Sequence, residues 1–310
     1  MYNSIHSKFI KTPISTILKD GVNACFGIGY GIETYPLCDY IMQSLFLKMT
    51  GAQEQKLKCI CWEMATYDYV YRRAYLDKVK SDYGEFSTYE QKNNVYKQII
   101  HEIKNYNNNF EIENFRWIKN IDAHTIDQLF DKEVSKRIEM EIEKQSRKKE
   151  LDEENKNNIR ASITKICNDN KEKIIIEITK RKFVTNVKED IASFLETSIL
   201  SIGGWRNYSF WKEEQDCINS LKCALKGTLL KENLKELYEN DVIKHRHRCA
   251  HNLTSYQQNL PTLDMLSQNG YSYHNYFFRF AILVLIDEIF IRLYEKYIEE
   301  IENNFYNIEV

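Results

Sequence analysis

The sequence predicts a mainly all-α protein with at most one or two short strands, and three observations carry that prediction. Glycine and proline are scarce, with 10 and 3 copies in 310 residues. Sandwiches and barrels turn often, and turns consume those two residues, so their scarcity favours long helices. Hydrophobic residues make up 43 % of the chain, enough for a sizeable core. Apolar positions recur three and four residues apart through most of the chain, the period of an amphipathic helix.

Residues 1 to 33 resist a clear reading. Gly27, Gly29 and Gly31 alternate in GIGYGIE; without a preceding strand this reads as a turned loop rather than a phosphate loop. Pro36 suits the first turn of a helix. Leu37, Tyr40, Ile41, Ser44 and Leu45 then follow helical spacing, and Gly51 reads as the stop. A second helix is predicted from about Gln53 to Lys80, with Leu57, Ile60, Cys61, Met64 and Tyr67 inward. Residues 81 to 182 change character. From Asp131 to Lys156 nearly every second residue is charged, and Val134, Ile138 and Ile142 leave a thin apolar stripe. That pattern predicts a solvated arm or helical hairpin projecting from the core. The run from Lys173 to Thr179, with four isoleucines, reads as a short strand.

Helical periodicity resumes at Val187, Ile191, Phe194, Leu195 and Ile199, and Gly203-Gly204 breaks it. Another helix is expected from Ser209 to Lys226, and a further one from Lys231 with Leu234, Leu237, Tyr238 and Val242 inward. Asn252 is a suitable helix stop. A polar loop leads to the last helix, from Tyr273 to about Asn303, the most hydrophobic of all. Asp287 and Glu288 interrupt it; they read first as surface positions and second as carboxylates facing a site. The predicted organisation is an N-terminal segment with the first bundle helices (1–80), a charged insertion (81–182) and a helical core (183–310).

The formal net charge is -2, so any nucleic acid would be drawn by a local basic patch, not by a bulk field. Eight cysteines are irregularly spaced, with a single C-x-C at Cys59 and Cys61 and no C-x-x-C. With no secretory leader apparent, the expected setting is a reducing cytoplasm. No run reaches the ~18 apolar residues of a membrane span.

The strongest local anomaly is Lys244-His-Arg-His-Arg-Cys-Ala-His-Asn252, which holds three of the seven histidines. Imidazole exchanges protons near neutrality. Guanidinium stays charged and matches phosphate oxygens as a fork. Together they suit attack of a ribose 2′-hydroxyl on its adjacent phosphate, a reaction in which RNA supplies its own nucleophile. Arg246 and His251 are five residues apart, about 140° and about 7.5 Å on an ideal helix. Either the helix ends between them, or a second protomer supplies the opposing pair.

The stretch from Arg246 to His251 resembles the R-x4-6-H motif of the HEPN superfamily in its four-spacer form, with the polar His247 directly after the arginine. Its place near the end of one helix, before a loop and a long final helix, also fits. The resemblance implies a helical bundle, a homodimer with the site at its interface, and metal-independent RNA cleavage without a cofactor. It further implies use in toxin–antitoxin or antiphage systems, with an antitoxin or activator as partner. Carried over, Arg246 and His251 are catalytic, and His247 and Asn252 support them. Lys244 and Arg248 are candidates to attract RNA, and Glu63 is a candidate to orient a site histidine.

Plainer readings stand beside these. The basic run suits a helix C-terminus, which favours cations. His247 and His251, four apart, would hold a metal only with a third ligand such as His245, Cys249 or His274. Glu63 also reads as a solvated carboxylate. Trp205-Arg206-Asn207-Tyr208 suits base stacking or a core plug at a bend. A non-catalytic helical module that binds RNA or protein, and a metal-dependent hydrolase, are the alternative functions.

Overall fold

The computed structural model describes residues 4–25, 28, 35–82, 86–118, 121–147, 152–196, 227–230, 232–251 and 273–308. The structure is all-α, with no strand among the described residues. The chain divides into two compact units, one of residues 1–112 with 186–310 and one of residues 113–185. Gly27, Gly29 and Gly31, the segment with Gly203-Gly204 and Trp205, the expected helix 209–226, and Asn252 lie outside the described residues.

The first unit opens with α1 (Ile5–Lys11) and α2 (Ser15–Ala24). Ser4 caps α1, its hydroxyl accepting the Ser7 amide at 2.9 Å. A Cβ on Gly21 would overlap the Leu45 side chain, so glycine there lets α2 approach α3 (Tyr35–Tyr67) closely. The spacing predicts a stop at Gly51, yet α3 runs straight through it. Met49, Thr50 and Gln53 are buried around that point, and their packing outweighs the ~1 kcal/mol that a mid-helix glycine costs. The inner face of the first half is Met42, Leu45, Phe46 and Met49, whereas Leu37 and Tyr40 are exposed.

The real break falls at Asp68, which separates α3 from α4 (Tyr69–Asp82). Its carboxylate accepts the Tyr71 amide at 2.7 Å. The Arg72 guanidinium donates back to the carbonyls of Ala65 and Thr66, at 2.6 and 2.9 Å. One amide at the start of α4 and two carbonyls at the end of α3 thereby find partners outside the helix ladder.

α5 (Tyr89–Tyr106) starts with a capping box in which Thr88 and Gln91 satisfy each other's backbone amides. It buries Tyr89, Lys92, Val95, Tyr96, Ile99, Glu102 and Ile103, a spacing of three and four. It packs on α3 and on the last helix. The expected insertion therefore begins later than residue 81, because this face needs the core to cover it.

The second unit contains α6 (Ala123–Ser146), α7 (Glu153–Asp169) and the first part of α8 (Lys171–Glu196). α6 and α7 pack together, and Phe130, Cys167, Ile174, Ile175 and Ile178 form a small core. The stretch read as a strand, Lys173 to Thr179, is helical. Ile174, Ile175 and Ile178 cover that core while Ile176 and Thr179 are buried as well. A helix buried over most of its circumference carries a continuous apolar run, which mimics a buried strand in sequence. Packing decides against the β preference of isoleucine here.

α9 (Glu232–Leu237) passes through a widened π-type turn (Tyr238–Ile243) into α10 (Lys244–His251). The last helix, α11 (Tyr273–Ile308), packs on α1, α3 and α5 and carries the deepest core, including Phe280, Leu283, Ile286, Leu293, Tyr294 and Tyr297. No helix among the described residues is long and apolar enough to cross a membrane.

Asp287 is not at the surface as its charge predicts; only 1 % of it is exposed. Both its oxygens lie 2.8 Å from the Lys56 ammonium, and one accepts the Ile14 amide at 2.8 Å. Gln53 adds a bond to the Leu283 carbonyl at 2.9 Å. α11, α3 and the entry to α2 are thus tied by one polar contact set inside apolar packing. Burial pushes the Asp287 carboxyl up and the Lys56 ammonium down, since desolvation outweighs their attraction. Such a pair is costly to form and costlier to halve. Asp287→Ala should destabilise the chain by about 3–5 kcal/mol in denaturant unfolding, and the double change Lys56→Met with Asp287→Leu by much less. At exposed Gly51, where an added Cβ meets nothing within 4 Å, Gly51→Ala should stabilise by about 0.5–1 kcal/mol in the same measurement.

Candidate functional site around Arg246

The approach to the motif is pinned to α5. The Tyr89 hydroxyl donates to the Leu230 carbonyl and accepts the Leu230 amide, both at 3.1 Å, and Asn93 accepts the Leu229 amide at 2.9 Å. From there Leu234, Tyr238 and Val242 are all fully buried, at steps of four residues. In an ordinary α-helix a four-residue step drifts by about 40°. The wider π-type turn advances less per residue and holds the row in line. Arg279 of α11 donates to the Asp241 carbonyl inside that turn at 2.8 Å. The next step along the row is Arg246.

α10 lies against α3. The His245 ring sits 5.1 Å from the Phe46 ring, and the Cys249 sulfur is 3.4 Å from His245 Nε2. Arg246 places one terminal nitrogen 2.8 Å from Glu54 Oε1, with 24 % of the arginine and 16 % of the glutamate side chain exposed. Lys92 of α5, only 2 % exposed, lies close enough to feel both charges. Burial holds the Lys92 ammonium down at about 8, and the opposing pull of Glu54 is the largest charge effect on it, followed by repulsion from Arg246 and attraction from Asp287. Burial also pushes the Tyr238 phenol far above its usual range, with Glu54 raising it further and Arg246 lowering it.

The arrangement therefore groups Glu54 of α3, Lys92 of α5, Tyr238 of the π-type turn and Arg246 of α10. Of these, sequence reasoning finds only Arg246 as a site residue. A signal for Lys92 is present nonetheless: it falls in phase with Val95, Tyr96, Ile99 and Ile103, the inward row of α5. Glu54 stands three residues before Leu57, on the inward side of α3, where a charge needs a partner.

The other expected site residues divide. Lys244 is exposed, and its ammonium donates to Asn240 at 2.7 Å. His247 is exposed. The side chains of Arg248, His251 and His274 lie outside the described residues. Glu63 is not solvated and does not meet Arg246. It is buried, accepts the Ser4 hydroxyl at 2.7 Å and lies 3.3 Å from His6 Nδ1. Nine residues beyond Glu54 on the same helix, it is about 13.5 Å further along the axis.

α10 is continuous from Lys244 to His251. No helix end falls between positions 246 and 251, so they keep the offset of an unbroken helix. Among the described residues no three or more His, Cys, Asp or Glu side chains gather where they would hold a metal.

Comparison of the chain with protein-family models, with curated proteins and with solved structures gives no match. What fold and site define is a class: a two-unit all-α protein with a part-exposed arginine held by a carboxylate, on a helix that carries a histidine five residues later.

Lys92 binds its proton less tightly in the folded chain than in the unfolded one, where lysine titrates near 10.4. Between about pH 8 and that value the unfolded state holds more protons, so this group makes stability rise with pH. Urea melts of the natural chain and Lys92→Met from pH 7.5 to 9.5 should show the stability difference narrowing in favour of the natural chain as pH rises; a constant difference would contradict the assignment.

Proposed function

We propose that this chain is a metal-independent endoribonuclease of the HEPN type, acting as a homodimer in the cytoplasm as a toxin or phage-defence effector. The observation that carries this reading is the state of Arg246. A carboxylate fixes one edge of its guanidinium while about a quarter of the side chain remains open. Guanidinium has five N–H donors in a rigid fork, so donors beyond the one that meets Glu54 can turn to a phosphate, and the contact already orients the group. Preorganised charge of this kind stabilises a transition state more than a mobile side chain does.

In the proposed reaction His251 removes the proton from the ribose 2′-hydroxyl. The freed oxygen attacks the adjacent phosphorus, Arg246 balances charge on the crowded phosphorane, and the bond from phosphorus to the 5′-oxygen breaks as that oxygen takes up the proton that His251 returns. The products are a 2′,3′-cyclic phosphate and a 5′-hydroxyl. The unbroken α10 supports the two-copy arrangement, because one straight helix separates the two positions by ~140°, and a two-fold axis offers each arginine the other copy's histidine. His247 and Asn252 support the pair, exposed Lys244 together with Arg248 draws RNA, and the charged unit of residues 113–185 is the surface for an antitoxin or activator, or for the RNA target.

A second reading, a helical module that binds RNA or protein without cleaving, is favoured by the same Arg246–Glu54 contact, since an ion pair also braces α10 on α3. Incubation of a mixed-sequence RNA with purified protein in excess chelator separates the two. Cleavage by the natural chain is expected, with a loss of about 10²-fold or more in Arg246→Ala and in His251→Ala. Full activity in either variant removes the assignment. Binding without cleavage selects the second reading, and activity abolished by chelator selects a metal-dependent hydrolase.

A further inference from the structure

We infer that Glu54 and Lys92 are positioning residues for Arg246, Glu54 fixing the guanidinium and Lys92 neutralising Glu54 from behind so that Arg246 offers a net positive charge to an RNA phosphate. This rests on the ribonuclease reading of Arg246 but concerns residues that the motif does not contain.

Orientation and charge conflict at the Arg246–Glu54 pair. A carboxylate 2.8 Å from a guanidinium orients it, but also cancels the charge that a phosphate would feel. A lone Arg–Glu pair is close to neutral from outside and makes a poor anion receptor. The conflict is resolved when a second cation shares the carboxylate from a side that no ligand reaches. Lys92 meets that description. It is 2 % exposed, so it does not touch RNA itself. It stands on α5, which packs on α3, and Glu54 is the largest of the charges that act on it. Three charged groups with two positive leave one net positive charge, at the exposed edge.

The alternative role for Lys92 is a partner for Asp287, whose pull on it is weaker than that of Glu54. Asp287 already has Lys56 at 2.8 Å on both oxygens and the Ile14 amide. A buried lysine is an expensive choice where methionine or leucine would fill the same volume. Its presence next to an arginine–glutamate pair needs a reason, and charge balance at Arg246 supplies one.

A pH signature follows. The groups acting on Lys92 are Glu54 of α3, Arg246 of α10 and Asp287 of α11. Tyr238, beside the same pair, stays neutral over the range of interest because burial raises it well beyond its usual value. Lys92 gives up its proton around pH 8, and one unit higher only about a tenth of it is charged. Glu54 then answers to Arg246 alone, and affinity for phosphate falls.

The test uses the full chain and a fluorescently labelled, fully 2′-O-methylated single-stranded RNA, which lacks the nucleophile and therefore reports binding alone. Anisotropy titrations from pH 6.5 to 9.5 compare the natural chain, Lys92→Met, Glu54→Gln and the double variant, with a thermal melt of each confirming the fold. The natural chain should lose affinity as pH passes about 8. Lys92→Met should bind roughly tenfold more weakly at pH 7, the scale of one charge removed at about 10 Å, and should lack that alkaline fall. In Glu54→Gln the carboxylate that does most to keep Lys92 charged is gone, so Lys92 is neutral above about pH 8, and over that range this variant and the double variant should bind alike and without an alkaline fall. With unmodified RNA, Glu54→Gln should lower kcat more than it raises KM, and Glu54→Asp should recover part of kcat.

An alkaline fall that survives in Lys92→Met, or a double variant that shows the full Lys92→Met loss, overturns the inference even where RNA is cut. Binding with the expected pH pattern but no cleavage of unmodified RNA sustains the inference about charge and ends the ribonuclease reading. Absence of both binding and cleavage in the natural chain overturns both.

Discussion

A carboxylate in the middle of the most apolar helix constrains everything packed around it. Asp287 cannot reach water, and an ionised group without a partner would not persist there. It takes Lys56 from α3 and the backbone amide of Ile14 at the entry to α2. Those contacts fix the axial register of α11 against α3, because a slide of one turn would strand two buried charges. Apolar packing alone tolerates such slides better, since one isoleucine contact resembles another. Once α3 and α11 are in register, Gln53 finds the Leu283 carbonyl, and the neighbouring Glu54 comes to the position where Arg246 meets it.

The candidate site is thus an extension of the core's polar layer rather than an addition to the surface. Lys56 and Lys92 are both buried ammonium groups, and Asp287 acts on both. The layer runs from the fully enclosed Asp287 to the part-open Arg246, so exposure increases toward the group that would meet a ligand. A guanidinium held in this way loses little freedom on binding. The π-type turn serves the same end, since it delivers Arg246 in line with Leu234, Tyr238 and Val242 at the cost of an irregular ladder. Arg279 catches one carbonyl of that turn.

Low glycine and proline and three-to-four spacing correctly indicate an all-α protein, and the final helix is legible because its apolar run is long. Gly51, by contrast, suggests a stop that packing overrides, while the real break uses Asp68 and Arg72, whose capping roles depend on side-chain direction. The isoleucine run from residue 174 to 178 fits strand and helix alike until its surroundings are known. α5 shows inward periodicity yet sits within a stretch dominated by charge, so composition masks its place in the core. Glu63 and Asp287 both look solvated, because a carboxylate's partner on another helix leaves no local trace.

Residue types, their period and the basic run ending at His251 follow from the chain alone: local sequence sets helix propensity, and imidazole and guanidinium carry their chemistry wherever they stand. The partners of those groups belong to the tertiary structure. Glu54, Lys92 and Arg246 lie on three helices far apart in the chain, and only packing decides which buried charge faces which, because a charge in a low-dielectric interior responds to its neighbours in space and not to its neighbours in sequence.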